Sequence, residues 1–174
     1  METTKNKLTA EQERFFYGIK NYLETPIYYY GSIQRSDYVT GKSDIDVDIF
    51  TENEKSMKIR LANYLKKDVS KFTEILWRLK NNRLITGYKI MYHDKINNYS
   101  VEFSIYNEKY KEDVLKEHNH KFKLNIIATW ILYILKTIYY KMGLINQPTY
   151  AYIKKKVLNF GSNTEDDDFI TIKN

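Results

Sequence analysis

The sequence predicts an α+β domain: a mixed β-sheet flanked by helices, with a helical C-terminal extension. Three observations predict it. Segments of helical and of strand periodicity follow one another in the order helix, strand, helix, strands, helices. Only two prolines and six glycines interrupt the 174 residues, so most of the chain is expected in regular structure. Hydrophobic residues make up 43 %, enough to bury the core of one domain. We expect a core over 1–110, a helical extension packed on it over 111–162 and a flexible acidic tail over 163–174.

The first helix is expected over Thr9–Glu24. Thr9 can cap it and Gln12 can close a capping box, while Phe15, Phe16, Ile19 and Leu23 fall on one face. Pro26 ends it, and Ile27–Tyr30 reads as a short strand running into Gly31-Ser32. Tyr28, Tyr29 and Tyr30 are read as strand core rather than a base-stacking platform. Ser32–Ser43 is a polar connection. Asp44–Phe50 then begins with strict alternation, acidic at Asp44, Asp46 and Asp48 and apolar at Ile45, Val47 and Ile49, so it is a strand with one acidic face. Glu54–Lys67 is a predicted helix with Met57, Ile59, Leu61 and Leu65 among its apolar members. Phe72–Leu79, which could equally be helical, Ile85–Tyr92 and Tyr99–Tyr106 are strand candidates separated by turn-like residues, which suggests a meander. Tyr110–His118 and Leu124–Met142 are predicted helices, the second capped by Gly143, and Pro148-Thr149 opens a last one ending near Phe160. There is no internal repeat.

Composition excludes some chemistry. The chain has no cysteine, so disulfides and thiolate zinc sites are ruled out, and a cytoplasmic, intracellular setting is expected. No apolar run follows Met1–Lys7, so no secretory leader is expected. The longest apolar stretch, Ile126–Ile138, is broken by Thr129, Lys136 and Thr137 and falls short of the about 20 residues a bilayer span needs. No membrane association is expected. A net charge of +6 suits polyanionic partners, but the Lys, Asn, Ile and Tyr bias of an AT-rich genome produces the same charge.

Three aspartates on one strand face repel one another and call for a positive partner. Two carboxylates spaced Asp-x-Asp on a strand point the same way and can share a divalent metal such as magnesium. Upstream, Gly31 lets backbone N–H groups approach a phosphate, and the Ser32 hydroxyl adds a donor. One short loop joins these two half-sites, and phosphoryl or nucleotidyl transfer needs both.

The run Tyr30-Gly31-Ser32 followed by Gly41-Lys42-Ser43-Asp44-Ile45-Asp46-Val47 resembles the signature of the DNA polymerase beta-like nucleotidyltransferase superfamily. That signature is an apolar residue, Gly, Gly or Ser, about ten residues, then Asp-apolar-Asp or Glu-apolar; a serine before the first aspartate is frequent. The likeness spans roughly 27–106. It implies a nucleotidyltransferase fold and transfer of a nucleoside monophosphate from an NTP such as ATP to a hydroxyl, with release of pyrophosphate. By position it implies that Asp44 and Asp46 bind two magnesium ions, with manganese an alternative, and that Gly31 and Ser32 bind the triphosphate. The family's third carboxylate matches Glu102 in Val101-Glu102-Phe103, with Glu for the commoner Asp and a part in activating the hydroxyl; Asp48 is its rival. Arg35, Lys42 and Ser43, in the connecting loop, are added as nucleotide-binding candidates. Relatives use nucleic acid, proteins, nucleotides or small molecules as acceptors. The competing expectation is an inactive module of the same fold that binds nucleotide or a protein partner without turnover.

Other readings fail on the residues. A P-loop needs glycine where Ser36 stands, and an EF-hand needs glycine where Ile49 stands. His93, His118 and His120 are expected to be solvent-exposed rather than a zinc site. Lys136 and Lys141 are candidates for reaching phosphates; Lys154–Lys156 reads as a solvated face. Trp130, Ile131, Leu132, Ile134, Leu135 and Ile138 form a broad apolar surface, core first and homodimer interface second.

Overall fold

Helix α1 (Ala10–Leu23) starts where the sequence predicts. The Thr9 hydroxyl accepts from the Gln12 backbone N–H and the Gln12 side chain accepts from the Thr9 N–H, closing the capping box. Phe16, Ile19 and Leu23 are buried, and Glu24 ends the helix in a left-handed conformation just before Pro26. The computed structural model describes residues 1–122, 124–162 and 169–172. The remaining strands and helices are β1 (Ile27–Tyr30), β2 (Ile45–Thr51), α2 (Glu54–Leu65), β3 (Thr73–Arg78), β4 (Leu84–Asp94), β5 (Tyr99–Asn107), α3 (Lys111–Phe122), α4 (Ile126–Thr137), α5 (Gln147–Ser162) and β6 (Phe169–Ile172).

The strands form one six-stranded mixed sheet in the order β1-β2-β5-β4-β3-β6. β2 and β5 are parallel; every other neighbouring pair is antiparallel. The expected meander is the hairpin pair β3-β4-β5, and the segment around Phe72–Leu79 is a strand. Alternation decides which side chains meet. Ile45, Val47 and Ile49 of β2 share a face with Val101, Phe103 and Ile105 of β5, and α1 and α2 cover that face to make the main core. On the opposite face Tyr28, Phe50, Ile75, Trp77, Ile85 and Tyr106 pack under Val114 of α3. Tyr28 and Tyr29 are buried as core residues. Gly87 faces Tyr106 across the β4–β5 ladder, where a Cβ would lie 2.7 Å from the Ile105 carbonyl oxygen and from the Tyr106 ring.

Three expectations are corrected. Residues 169–172 of the supposed flexible tail form β6 and pair with β3; Glu165–Asp168 lie outside the described residues. The long helix ends as an α-helix at Thr137 and continues as a π-helical turn over Ile138–Met142 before Gly143 caps it at φ 63°. α3 belongs to the second layer of the sheet, whereas α4 and α5 form a hairpin with their own small core around Leu132, Leu135 and Tyr150. Among the described residues no helix is long and apolar enough to cross a membrane.

Candidate active site

The acidic face of β2 lies opposite the main core, and its three aspartates have three different fates. Asp44 precedes the strand and is exposed. Asp46 sits between Tyr30 of β1 and Glu102 of β5, its register partners on either side. Asp48 is fully buried and pairs with His118 of α3, Nε2 to Oδ2 at 2.8 Å. The His118 ring stacks on Tyr30 at 3.9 Å between centroids. His118 is therefore a half-buried partner of Asp48, not the exposed histidine expected. His93 is exposed as expected, and the side chain of His120 lies outside the described residues. His118→Ala should leave the Asp48 carboxylate buried beside a void and cost about 2 kcal/mol, read as a lowered urea midpoint.

Asp46 and Glu102 form the heart of the site. Burial, and after it the charge of Glu102, push the Asp46 carboxyl up to about 7; Lys154 and Lys89 oppose this and Asp44 adds to it. The Lys89 ammonium meets Glu102 at 2.6 Å. The Tyr30 hydroxyl donates to Glu102 at 3.4 Å, and burial followed by Asp48, Glu102 and Asp46 keeps it protonated. Two carboxylates thus stand at paired positions of neighbouring strands, with a lysine bound to one of them.

Gly31 explains why a glycine must precede this site. It opens a single 3-10 turn, Gly31–Gln34, at φ +70°, and the space a Cβ would fill is occupied by the Asp46 carboxylate. The backbone at Gly31 can therefore approach whatever Asp46 holds. Gly31→Ala should displace the Asp46 carboxylate and strain the turn, lowering stability by about 1 kcal/mol and any Asp46-dependent activity far more. Thermal melts and turnover on the same preparation separate the two effects.

The loop candidates are corrected in part. Ser32 is buried and its hydroxyl donates to the Asp44 carbonyl at 3.5 Å, so it ties the two motifs together. Arg35 forks onto Asp37 at 2.7 and 3.2 Å. Ser43 is buried, its Oγ accepting from the Val39 N–H and from Lys136, both at 3.1 Å. Lys136 itself is only 2 % exposed and also reaches the Asp37 carbonyl at 2.8 Å and its carboxylate at 3.0 Å. Burial would raise the Asp37 carboxyl, but Arg35 and Lys136 hold it below its ordinary value. Burial also pushes the Lys136 ammonium down to about 8, against the pull of Asp37. Arg35, Ser43 and Lys136 are therefore spent on holding the loop, and only Lys42 of the loop candidates points to solvent.

Sequence reasoning missed Lys89, Tyr30 and Lys154 as neighbours of the acids. Lys89 left one signal: it has the same parity as Ile85 and Gly87 in β4, so it had to face the side where Glu102 lies. Lys154 left none, because α5 reaches the site only through tertiary packing. It feels Asp46, and is not part of a purely solvated face.

Among the described residues no three histidine, aspartate or glutamate side chains, the expected Asp44, Asp46 and Glu102 included, converge closely enough to form a metal-holding group. The donor set nevertheless fits magnesium, which keeps several waters and takes one or two carboxylates plus phosphate oxygens. Asp46 and Glu102 offer hard oxygens at paired positions of neighbouring strands, with Lys89 already on Glu102. No protein-family model matches the chain, and no curated protein matches it.

Proposed function

We propose that the protein is a magnesium-dependent nucleotidyltransferase that moves a nucleoside monophosphate from an NTP to a hydroxyl. The observation that carries this reading is the placement of Asp46 beside Glu102, with the bare backbone of Gly31 pressed against the Asp46 carboxylate. Asp46 and Glu102 would hold the metal, with Asp44 reaching in from the loop end. Magnesium would supply charge neutralisation of the triphosphate. The Gly31 turn would present backbone N–H groups to the phosphates. In the transfer, the acceptor oxygen bonds to the α-phosphorus and the bond from that phosphorus to the bridging oxygen breaks. Pyrophosphate leaves, and the hydroxyl proton passes to Glu102 or to water.

A second reading rests on Lys89. Its 2.6 Å contact with Glu102 places a fixed cation on the third carboxylate, as suits a module that binds nucleotide without turnover. Calorimetric titration of NTP with and without magnesium, then transfer of α-labelled nucleotide to panels of RNA, protein, nucleotide and small hydroxyl acceptors, separates the two. Label appearing in an acceptor with matching pyrophosphate release supports the enzyme. Magnesium-dependent binding with no transfer to any acceptor or water favours the module.

The raised Asp46 carboxyl gives this site a pH signature. The folded protein holds that proton up to about 7, whereas the unfolded chain releases it near the ordinary value of 3.8. Between those values the folded state binds more protons, so stability of the metal-free protein falls as pH rises through that window. Magnesium competes with the proton, so its affinity should climb through pH 7. Melting curves from pH 5 to 8 for the natural protein and for Asp46→Asn check this: the variant should lack the decline.

A further inference from the structure

Helix α4 has two faces. One buries Ala128, Leu132 and Leu135 and sends Lys136 into the loop. The other exposes Ile126, Ile127, Trp130, Ile131, Tyr133 and Ile134, and no described element of the chain covers them. Single exposed apolar residues are ordinary, but six large ones on one helix make a contiguous patch. The only charged residue of α4 is Lys136, and it is turned inward, so the patch carries no charge.

We propose that this face is the interface of a two-fold symmetric homodimer, in which α4 packs antiparallel against α4 of a second copy. Two arguments select a second copy as the occupant. The first is area. The six side chains expose on the order of 700 Å², close to the roughly 800 Å² per partner of a standard stable interface. The second is self-complementarity. In an antiparallel pair with its axis at Trp130, position 126 of one helix meets 134 of the other, 127 meets 133, and Trp130 meets its own copy. All five positions are exposed and apolar, so the row reads the same from either end. An uncharged patch also gives an acidic partner nothing to pair with. The net charge of +6 opposes self-association at long range, so added salt should strengthen the dimer, the reverse of a charge-driven complex.

Sedimentation equilibrium across a concentration series tests this. The natural chain should approach twice its 21.0 kDa as concentration rises. Trp130 is 63 % exposed and Trp77 only 1 %, so tryptophan emission should shift to the blue over the same series as Trp130 is covered. Ile126→Glu alone and Ile134→Lys alone should each weaken the dimer at least tenfold, because each places a charge against isoleucine. Both sites are exposed in the single chain, so folding is spared, and melting curves verify it. Mixing the two variants should restore association, since the carboxylate introduced in one copy then faces the ammonium introduced in the other. A natural chain that stays monomeric overturns the proposal. So does a dimer that survives both substitutions, or a mixture that associates no better than either variant alone.

Discussion

Asp46→Asn should abolish nucleotide transfer while leaving the fold intact or slightly stabilised. The amide keeps the shape of the carboxylate, so the turn at Gly31 and the β1–β2 register have nothing new to accommodate. It removes one of two like charges held side by side, which is why stability is not expected to fall at pH 8. What it cannot keep is the second anionic oxygen for a hard cation. The loss in turnover should exceed the roughly 100-fold that removal of an outer-sphere partner typically costs a metal site. Glu102→Gln should act in the same direction and also release Lys89 from its ion pair. Transfer of labelled nucleotide under saturating magnesium, with melting curves as the folding check, measures both. Undiminished transfer by Asp46→Ala would sink the mechanism, because no other described carboxylate stands where Asp46 does. Asp48 cannot substitute, being buried against His118.

The acidic face of β2 was legible because alternation is a local property. Asp44, Ile45, Asp46 and Val47 announce a strand with two chemically distinct sides whatever surrounds it. The capping box at Thr9 and Gln12 and the strand bounded by Pro26 and Gly31 were readable for the same reason. Glu102 needed more: only the parallel pairing of β2 with β5 sets it beside Asp46, and pairing partners are not written in either strand. The loop shows where local reading fails. Arg35, Lys42 and Ser43 look alike as polar loop residues near a phosphate motif. Two of them are buried in a network completed by Lys136, 93 residues beyond Ser43. Nothing in the periodicity of α4 distinguishes a lysine that reaches solvent from one that enters a core. His118 was misread for the same reason, since its partner Asp48 belongs to a strand far upstream. Charged residues inside an otherwise apolar helix, such as Lys136 among Leu132, Leu135 and Ile138, are the one local hint of such a role.

Lys136→Met is the substitution expected to damage structure most. The lysine joins α4 to both ends of the loop between the Gly31 turn and β2, through Asp37 at one end and Ser43 at the other. Methionine fills similar volume but leaves Asp37 with Arg35 as its remaining cation and Ser43 Oγ without the ammonium that donates to it. Breaking a buried charge pair by removing one member costs about 3–5 kcal/mol, far more than an exposed pair is worth. Removing the other member as well should recover part of the loss. Lys136→Met with Asp37→Asn is therefore expected to be more stable than Lys136→Met alone, and the double-mutant cycle should show coupling of at least about 1 kcal/mol. The effect should extend to the site. Asp44 follows Ser43 directly, and the Ser32 hydroxyl is tied to the Asp44 carbonyl, so a slack loop moves the phosphate turn and the first aspartate together. Magnesium-dependent NTP binding should weaken in Lys136→Met under conditions where melting shows the protein still folded, and limited proteolysis should cut within 36–44. If Lys136→Met instead melts and binds nucleotide as the natural protein does, the buried lysine is not what holds the loop, and its other hydrogen bonds, Arg35 to Asp37 and Val39 to Ser43 among them, suffice.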